Sequence, residues 1–256
     1  MKYVNKIMAI GLAILFLIAL VIGTGIVLSV RNVNVSYEYY GENYYVDQYA
    51  ETKSNLNKLK GSGILFIDGN DVLSKVSDKS VIAVDRYEKV FPCTVNVYLR
   101  QRIKRFAVQN EGSESYKVYD EKGDLIQSVA TASGVPLGTD GSPLILVENL
   151  NGTSLNSVAT ICTYFDECFG EGESFGSVLR LVEKISVKNM TFYLRSGLSI
   201  RFYPRNSEKL VEVDKKMVKK ACSFYETLSE TQKLSGMIAV MYSSVSGELI
   251  ANYMNY

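Results

Sequence analysis

Histidine and tryptophan are absent from this 256-residue chain, and proline occurs only four times. The lack of histidine removes the usual general base near neutral pH and the commonest metal ligand. Charge of one sign is also lacking. Lysine and arginine number 28 against 27 acidic residues, a net of +1, so no global field marks nucleic acid or an acidic substrate as a partner. Four cysteines, Cys93, Cys162, Cys168 and Cys222, are too few for a disulfide-built scaffold. On one helix, Cys162 and Cys168 are turned about 240° apart and do not face each other. They read as small apolar core residues. The metal signatures H-E-x-x-H and paired C-x-x-C do not occur. Gly61 and Gly63 fit neither a phosphate loop nor a dinucleotide fingerprint, so no cofactor is implied.

One catalytic pattern is present. Gly172-Glu173-Ser174-Phe175-Gly176 matches the G-x-S-x-G elbow, which needs a strand before it, a helix after it and a histidine base. Here a helical pattern precedes and an extended pattern over 178–187 follows, so the segment reads as a turn and the chain as a non-enzyme. A Ser-Lys dyad works without histidine. A membrane-anchored extracytoplasmic hydrolase using Ser174 and a lysine is therefore the alternative.

Residues 7–30 carry no charge. As a helix they would reach about 36 Å, against a hydrocarbon core of about 30 Å. Lys2 and Lys6 precede them; Arg31, then Glu38, Glu42 and Asp47, follow. That balance favours a cytoplasmic N-terminus. A cleaved signal peptide would have a shorter apolar core and a clearer small-residue end, and a helix of a globular core would show a polar face. The expectation is an uncleaved single-pass anchor over 7–30 in contact with membrane lipid, after a cytoplasmic tail of 1–6.

Beyond it, Val33, Val35, Tyr37 and Tyr39 alternate as a strand does, within a stretch holding six tyrosines from Tyr37 to Tyr49. Residues 46–60 have helical spacing and end at Gly61 and Gly63. Asp68 or Asn70 can cap a short second helix through Val72, Leu73 and Val76. Strands follow near 81–90 and 94–108, with Phe91-Pro92 at the turn. In the second of these, Val95, Val97, Leu99 and Ile103 face one way. Asn96, Tyr98, Arg100, Arg102 and Lys104 face the other, as a solvated basic ridge or a contact for anionic headgroups or an acidic partner.

This order after an N-terminal apolar helix resembles the POTRA domain of the FtsQ/DivIB cell-division proteins. The matching phrases are Val33-Asn34-Val35, the segment from Leu59 through Gly61, Gly63 and Phe66 to Asp68, and Phe91-Pro92-Cys93-Thr94-Val95-Asn96-Val97. Gln101-Arg102 stands where the family commonly has a glutamate-arginine pair. Downstream, a hairpin from Tyr116 to Ile126 turns on Lys122-Gly123. Leu155, Val158, Cys162, Phe165 and Phe169 mark an amphipathic helix. Alternation at 190–194 and 198–202 makes a second hairpin. Val213, Met217, Ala221 and Phe224 mark a further helix, and 237–242 and 248–253 are closing strands.

The fold class expected is α+β: the transmembrane helix, a POTRA domain of β-α-α-β-β order over 31–108, then a mixed α+β domain over 109–256 ending in C-terminal strands. The resemblance implies a bitopic scaffold of the divisome, single-pass in the cell membrane with its bulk outside and located at the division septum. Its implied partners are the FtsB/DivIC-type and FtsL-type coiled-coil proteins, and no nucleic acid. The implied binding site is the C-terminal edge strand Glu248, Leu249, Ile250, Ala251, Asn252 and Tyr253, through strand addition.

Overall fold

The computed structural model describes residues 12–16, 28–39, 45–109, 112–138, 141–150, 154–169, 177–205 and 212–255. The chain divides between Gln101 and Arg102 into two compact units.

The first unit contains β1 (Asn32–Glu38), α1 (Val46–Asn57), α2 (Gly69–Ser74), β2 (Ile82–Val90) and β3 (Thr94–Gln101). Its sheet has the order β1-β3-β2, with β1 parallel and β2 antiparallel to the central β3. Val95, Val97 and Leu99 alternate along β3 and are buried with Leu56, Leu59, Ile64 and Val72 in one core. Each such side chain contributes about 1.5–3 kcal/mol on burial. A short helix needs its ends satisfied. Asp68 supplies this for α2: its carboxylate accepts from Asp71 N at 2.9 Å, and Asp71 returns the bond to Asp68 N at 2.9 Å. The tyrosines near the start pack on one another. Tyr37 stacks on Tyr49 at 4.5 Å between ring centroids and on Tyr39 at 6.1 Å. Burial, then the neighbouring Tyr45 and Tyr49, push the Tyr37 hydroxyl up to about 12. Tyr40 and Tyr44 lie outside the described residues.

The expected membrane anchor is corrected here. Among the described residues, no helix is long and apolar enough to cross a membrane. Residues 12–16 of the run are helical; 7–11 and 17–27 lie outside the described residues. The end of the run belongs to the first unit. Ile64 N donates to Leu28 O at 2.8 Å, Val30 N to Ser62 O at 2.8 Å, and Gly61 N to Val30 O at 2.9 Å. Val30 is buried in the core of that unit. Leu28 and Val30, assigned to lipid, thus pack against protein, and the single-pass topology built on the run loses its basis.

The second unit contains β4 (Lys104–Gln109), β5 (Tyr116–Asp120), β6 (Leu125–Val129), β7 (Ile145–Glu148), α3 (Leu155–Phe169), α4 (Ser177–Leu181), β8 (Val182–Ser186), β9 (Thr191–Leu194), β10 (Ser199–Tyr203), α5 (Lys215–Thr227), β11 (Met237–Tyr242) and β12 (Leu249–Met254). Among the described residues its sheet has nine strands, in the order β12-β11-β10-β9-β8-β7-β4-β5-β6. β4, β7 and β8 are mutually parallel neighbours, as are β10 and β11. Long crossovers make this possible: the β5–β6 hairpin lies between β4 and β7, α3 and α4 between β7 and β8, and α5 between β10 and β11. The α3 and α5 faces carrying Val158, Phe165, Met217, Val218 and Ala221 share a core with Ile185, Phe192, Ile200, Phe202 and Val240. Three rings form its centre, with Phe165, Phe192 and Phe202 centroids 5.1–6.2 Å apart.

The single strand expected over 94–108 is two strands in two different sheets. Arg102 and Ile103 make the break. The Arg102 guanidinium donates to Asp120 Oδ2 at 2.8 Å and to the carbonyls of Asp124 and Leu125, while Ile103 N donates to Glu121 Oε2 at 2.8 Å. The same Asp120 accepts from Lys122 N and Asp124 N, which shapes the β5–β6 turn. Gly123 in that turn has φ +87°, and a Cβ there would meet Leu155 and Asn156 backbone at 3.0 Å.

Candidate functional site

The C-terminal hairpin builds the site. Ser243 N donates to Glu248 O at 2.8 Å and Gly247 N to Ser243 O at 2.9 Å. Gly247 takes φ +70°, the left-handed conformation that glycine adopts at no steric cost. Arg205 donates to the Gly247 carbonyl and lies over the Tyr242 ring, 4.3 Å from its centroid. From this turn β12 runs antiparallel to β11 over six pairs, Tyr242↔Leu249 to Met237↔Met254, without a register shift.

The two faces of β12 differ. Leu249, Ala251 and Tyr253 pack against the core, and the Tyr253 hydroxyl donates to Ser235 O at 3.2 Å. Ile250, Asn252 and Met254 take the opposite face by alternation, with Met254 40% exposed. That face continues across the sheet as cation–ring pairs. Arg201 lies 4.9 Å from the Tyr203 ring centroid and Lys184 lies 4.9 Å from that of Tyr193.

The backbone edge follows from ladder geometry. The Ser243–Glu248 bond makes that pair a hydrogen-bonded one. Antiparallel pairs alternate, so Ile250, Asn252 and Met254 direct their backbone groups at β11. Leu249, Ala251 and Tyr253 direct their N–H and C=O groups away from the sheet. On the other side of β11, Ser199 N donates to Gly236 O, which sets the same phase. Natural edges are commonly blunted by charge, proline or a bulge. β12 reads Leu-Ile-Ala-Asn-Tyr-Met with none of these. The opposite edge, β6, pairs with β5 through a register shift between Val118 and Tyr119.

Of the six residues expected to bind a partner, Leu249, Ile250, Ala251, Asn252 and Tyr253 lie in the edge strand. Glu248 precedes it in the exposed turn. Ser174 and the whole of 172–176 lie outside the described residues. The segment after them is not the extended run expected but α4 followed by β8. Among the described residues, no group of three metal-ligating acids or cysteines comes together. An open cleft of about 740 Å³ is lined by Gln109, Ser113, Glu114, Glu148 and Asn149 among others; Glu148 there pairs with Lys184 at 3.5 Å.

The basic ridge is corrected as well. Arg100 is 2% exposed and lies 3.6 Å from Asp85. Arg102 is held by Asp120, and Lys104 begins a strand of the other sheet. These cations are neutralised or divided between units rather than aligned for an anionic surface. Sequence reasoning missed a buried ion pair behind the sheet: Arg105, fully buried, lies 2.8 Å from Asp166 on α3. Burial pushes the nearby Cys162 thiol up to about 12, opposed by the Arg105 charge and reinforced by that of Asp166. The intervening sequence, 105 to 166, gave no spacing signal for this contact.

No protein-family model matches the chain, and no curated protein matches it. With no membrane-spanning helix among the described residues either, the resemblance to FtsQ/DivIB is overturned. The divisome function, septal localisation and single-pass membrane placement inferred from it are withdrawn, and so is the anchored-hydrolase alternative.

Proposed function

We propose that this chain is a binding module without chemistry of its own, which captures an extended segment of a partner protein by strand addition to β12. The observation that carries this reading is the outward backbone row of Leu249, Ala251 and Tyr253 on an uncharged, unbulged edge strand. Main-chain bonds supply affinity in this mode and alternate side chains supply specificity. Three outward residues offer up to six bonds, about 6 kcal/mol at about 1 kcal/mol each. Ordering a free segment costs several kcal/mol. Side-chain contacts must therefore contribute, and Ile250, Met254 and, in the turn, the 95% exposed Val245 are the apolar surface for them. The lack of histidine supports the non-catalytic part of the reading.

The test is selection of displayed random peptides on the full chain. Peptides of alternating apolar pattern should be enriched. Their binding should disappear in Ala251→Pro, which removes one outward N–H, with the far-ultraviolet circular dichroism of the variant unchanged. Enrichment without an extended pattern, or equal binding by the folded variant, would overturn the proposal.

A further inference from the structure

Two cysteines on different helices face each other in the second unit. Cys168 stands in the last turn of α3 and is half-buried; Cys222 is buried on the inner face of α5. The two helices pack together, and Cys168 is the neighbouring thiol that acts on Cys222. Both thiols are free. An ion pair between Glu167 and Lys215 joins the same two helices. Cys162 instead faces the Arg105–Asp166 pair, and Cys93 lies in the first unit.

We propose that Cys168 and Cys222 form a reversible dithiol–disulfide site, oxidised by a small disulfide of the glutathione class, that staples α3 to α5. Cys168 is the entry point because it is the more exposed thiol. Its thiolate attacks one sulfur of the small disulfide, forming a mixed disulfide and releasing one small thiol. The Cys222 thiolate then attacks the Cys168 sulfur, forming the protein disulfide and releasing the second small thiol. Two protein thiols are oxidised, the two electrons reduce the small disulfide, and the two thiol protons leave on its halves. Burial, together with the charge and hydrogen bond of Cys168, pushes the Cys222 thiol up, so the second step accelerates with rising pH. Because α5 packs against β11 and β12, the staple fixes the helix layer beneath the edge strand. The inference does not depend on what that edge binds.

The experiment treats the full chain with oxidised glutathione, traps remaining thiols by alkylation and maps them by peptide mass spectrometry. The expected result is loss of two thiols, mapped to a Cys168–Cys222 crosslink and restored by dithiothreitol. Cys222→Ser should halt at a persistent glutathione adduct on Cys168. A lasting adduct on Cys168 in the parent chain, a crosslink through Cys93 or Cys162, or four unreacted thiols would each overturn the proposal. The map of the parent chain decides the matter even where a variant fails to fold.

Discussion

Replacing Asp166 by alanine should be among the costliest single changes in the second unit. Its Oδ2 lies 2.8 Å from the guanidinium of Arg105, which is fully buried, while Asp166 itself is 13% exposed. Its Oδ1 accepts from Val178 N at 3.1 Å, at the start of α4. The change leaves a buried cation without this carboxylate, a loss of about 3–5 kcal/mol. Losing the acceptor for the Val178 N–H adds about 1 kcal/mol. Against a total stability of about 5–15 kcal/mol, this is a large fraction. At about 2–4 °C per kcal/mol for a unit of this size, the combined loss of about 4–6 kcal/mol should lower the melting temperature by roughly 8–24 °C. Urea titration followed by near-ultraviolet circular dichroism of the tyrosines is the assay, since the chain has no tryptophan. The double variant Arg105→Met/Asp166→Leu should recover most of the loss, because a paired replacement removes the cation along with its partner. A cost under about 1 kcal/mol for Asp166→Ala, or a double variant no more stable than the single one, would refute the reasoning.

Proline should separate the two backbone rows of β12. Asn252→Pro removes a donor aimed at the buried Ala239, so it should cost about 1–3 kcal/mol more than Ala251→Pro, whose N–H points outward; chemical denaturation of both variants checks this. Gly123→Ala should cost about 1–2 kcal/mol for its left-handed φ, and more if the Leu155–Asn156 backbone cannot move away from the new Cβ; a thermal melt of the purified variant measures it. Asp68→Ala removes half of a reciprocal cap on α2 and should cost about 1 kcal/mol, read by the same urea titration.

Local patterns made many individual elements legible. Val33, Val35 and Tyr37 alternate because β1 packs one face on its helices. The Asp68 cap is visible because only a short acceptor side chain fits that role. Leu194 and Leu198 bracket Ser196-Gly197, whose glycine takes φ +101°. What failed were inferences needing long-range context. The uncharged run of 7–30 reads the same whether its end meets lipid or protein, and Val30 meets protein. Alternation carried past Gln101 merged β3 with β4, because the break depends on Asp120 and Glu121, which lie about twenty residues downstream. The edge position of β12 was not readable from its alternation; that it stands first in the order β12-β11-β10 among the described strands is a property of topology. Cys168 was compared with Cys162 on its own helix, whereas its neighbour Cys222 comes from another.

Residue-resolved amide hydrogen exchange, on the full chain alone and with a peptide selected on it, tests the claim for β12 most directly. In the free chain, Leu249, Ala251 and Tyr253 should exchange fast, while Ile250, Asn252 and Met254 exchange slowly. With peptide bound, the first three should become as slow as the others. If the peptide binds while those three amides stay fast, or if they are already slow in the free chain, β12 is not the strand that receives a partner.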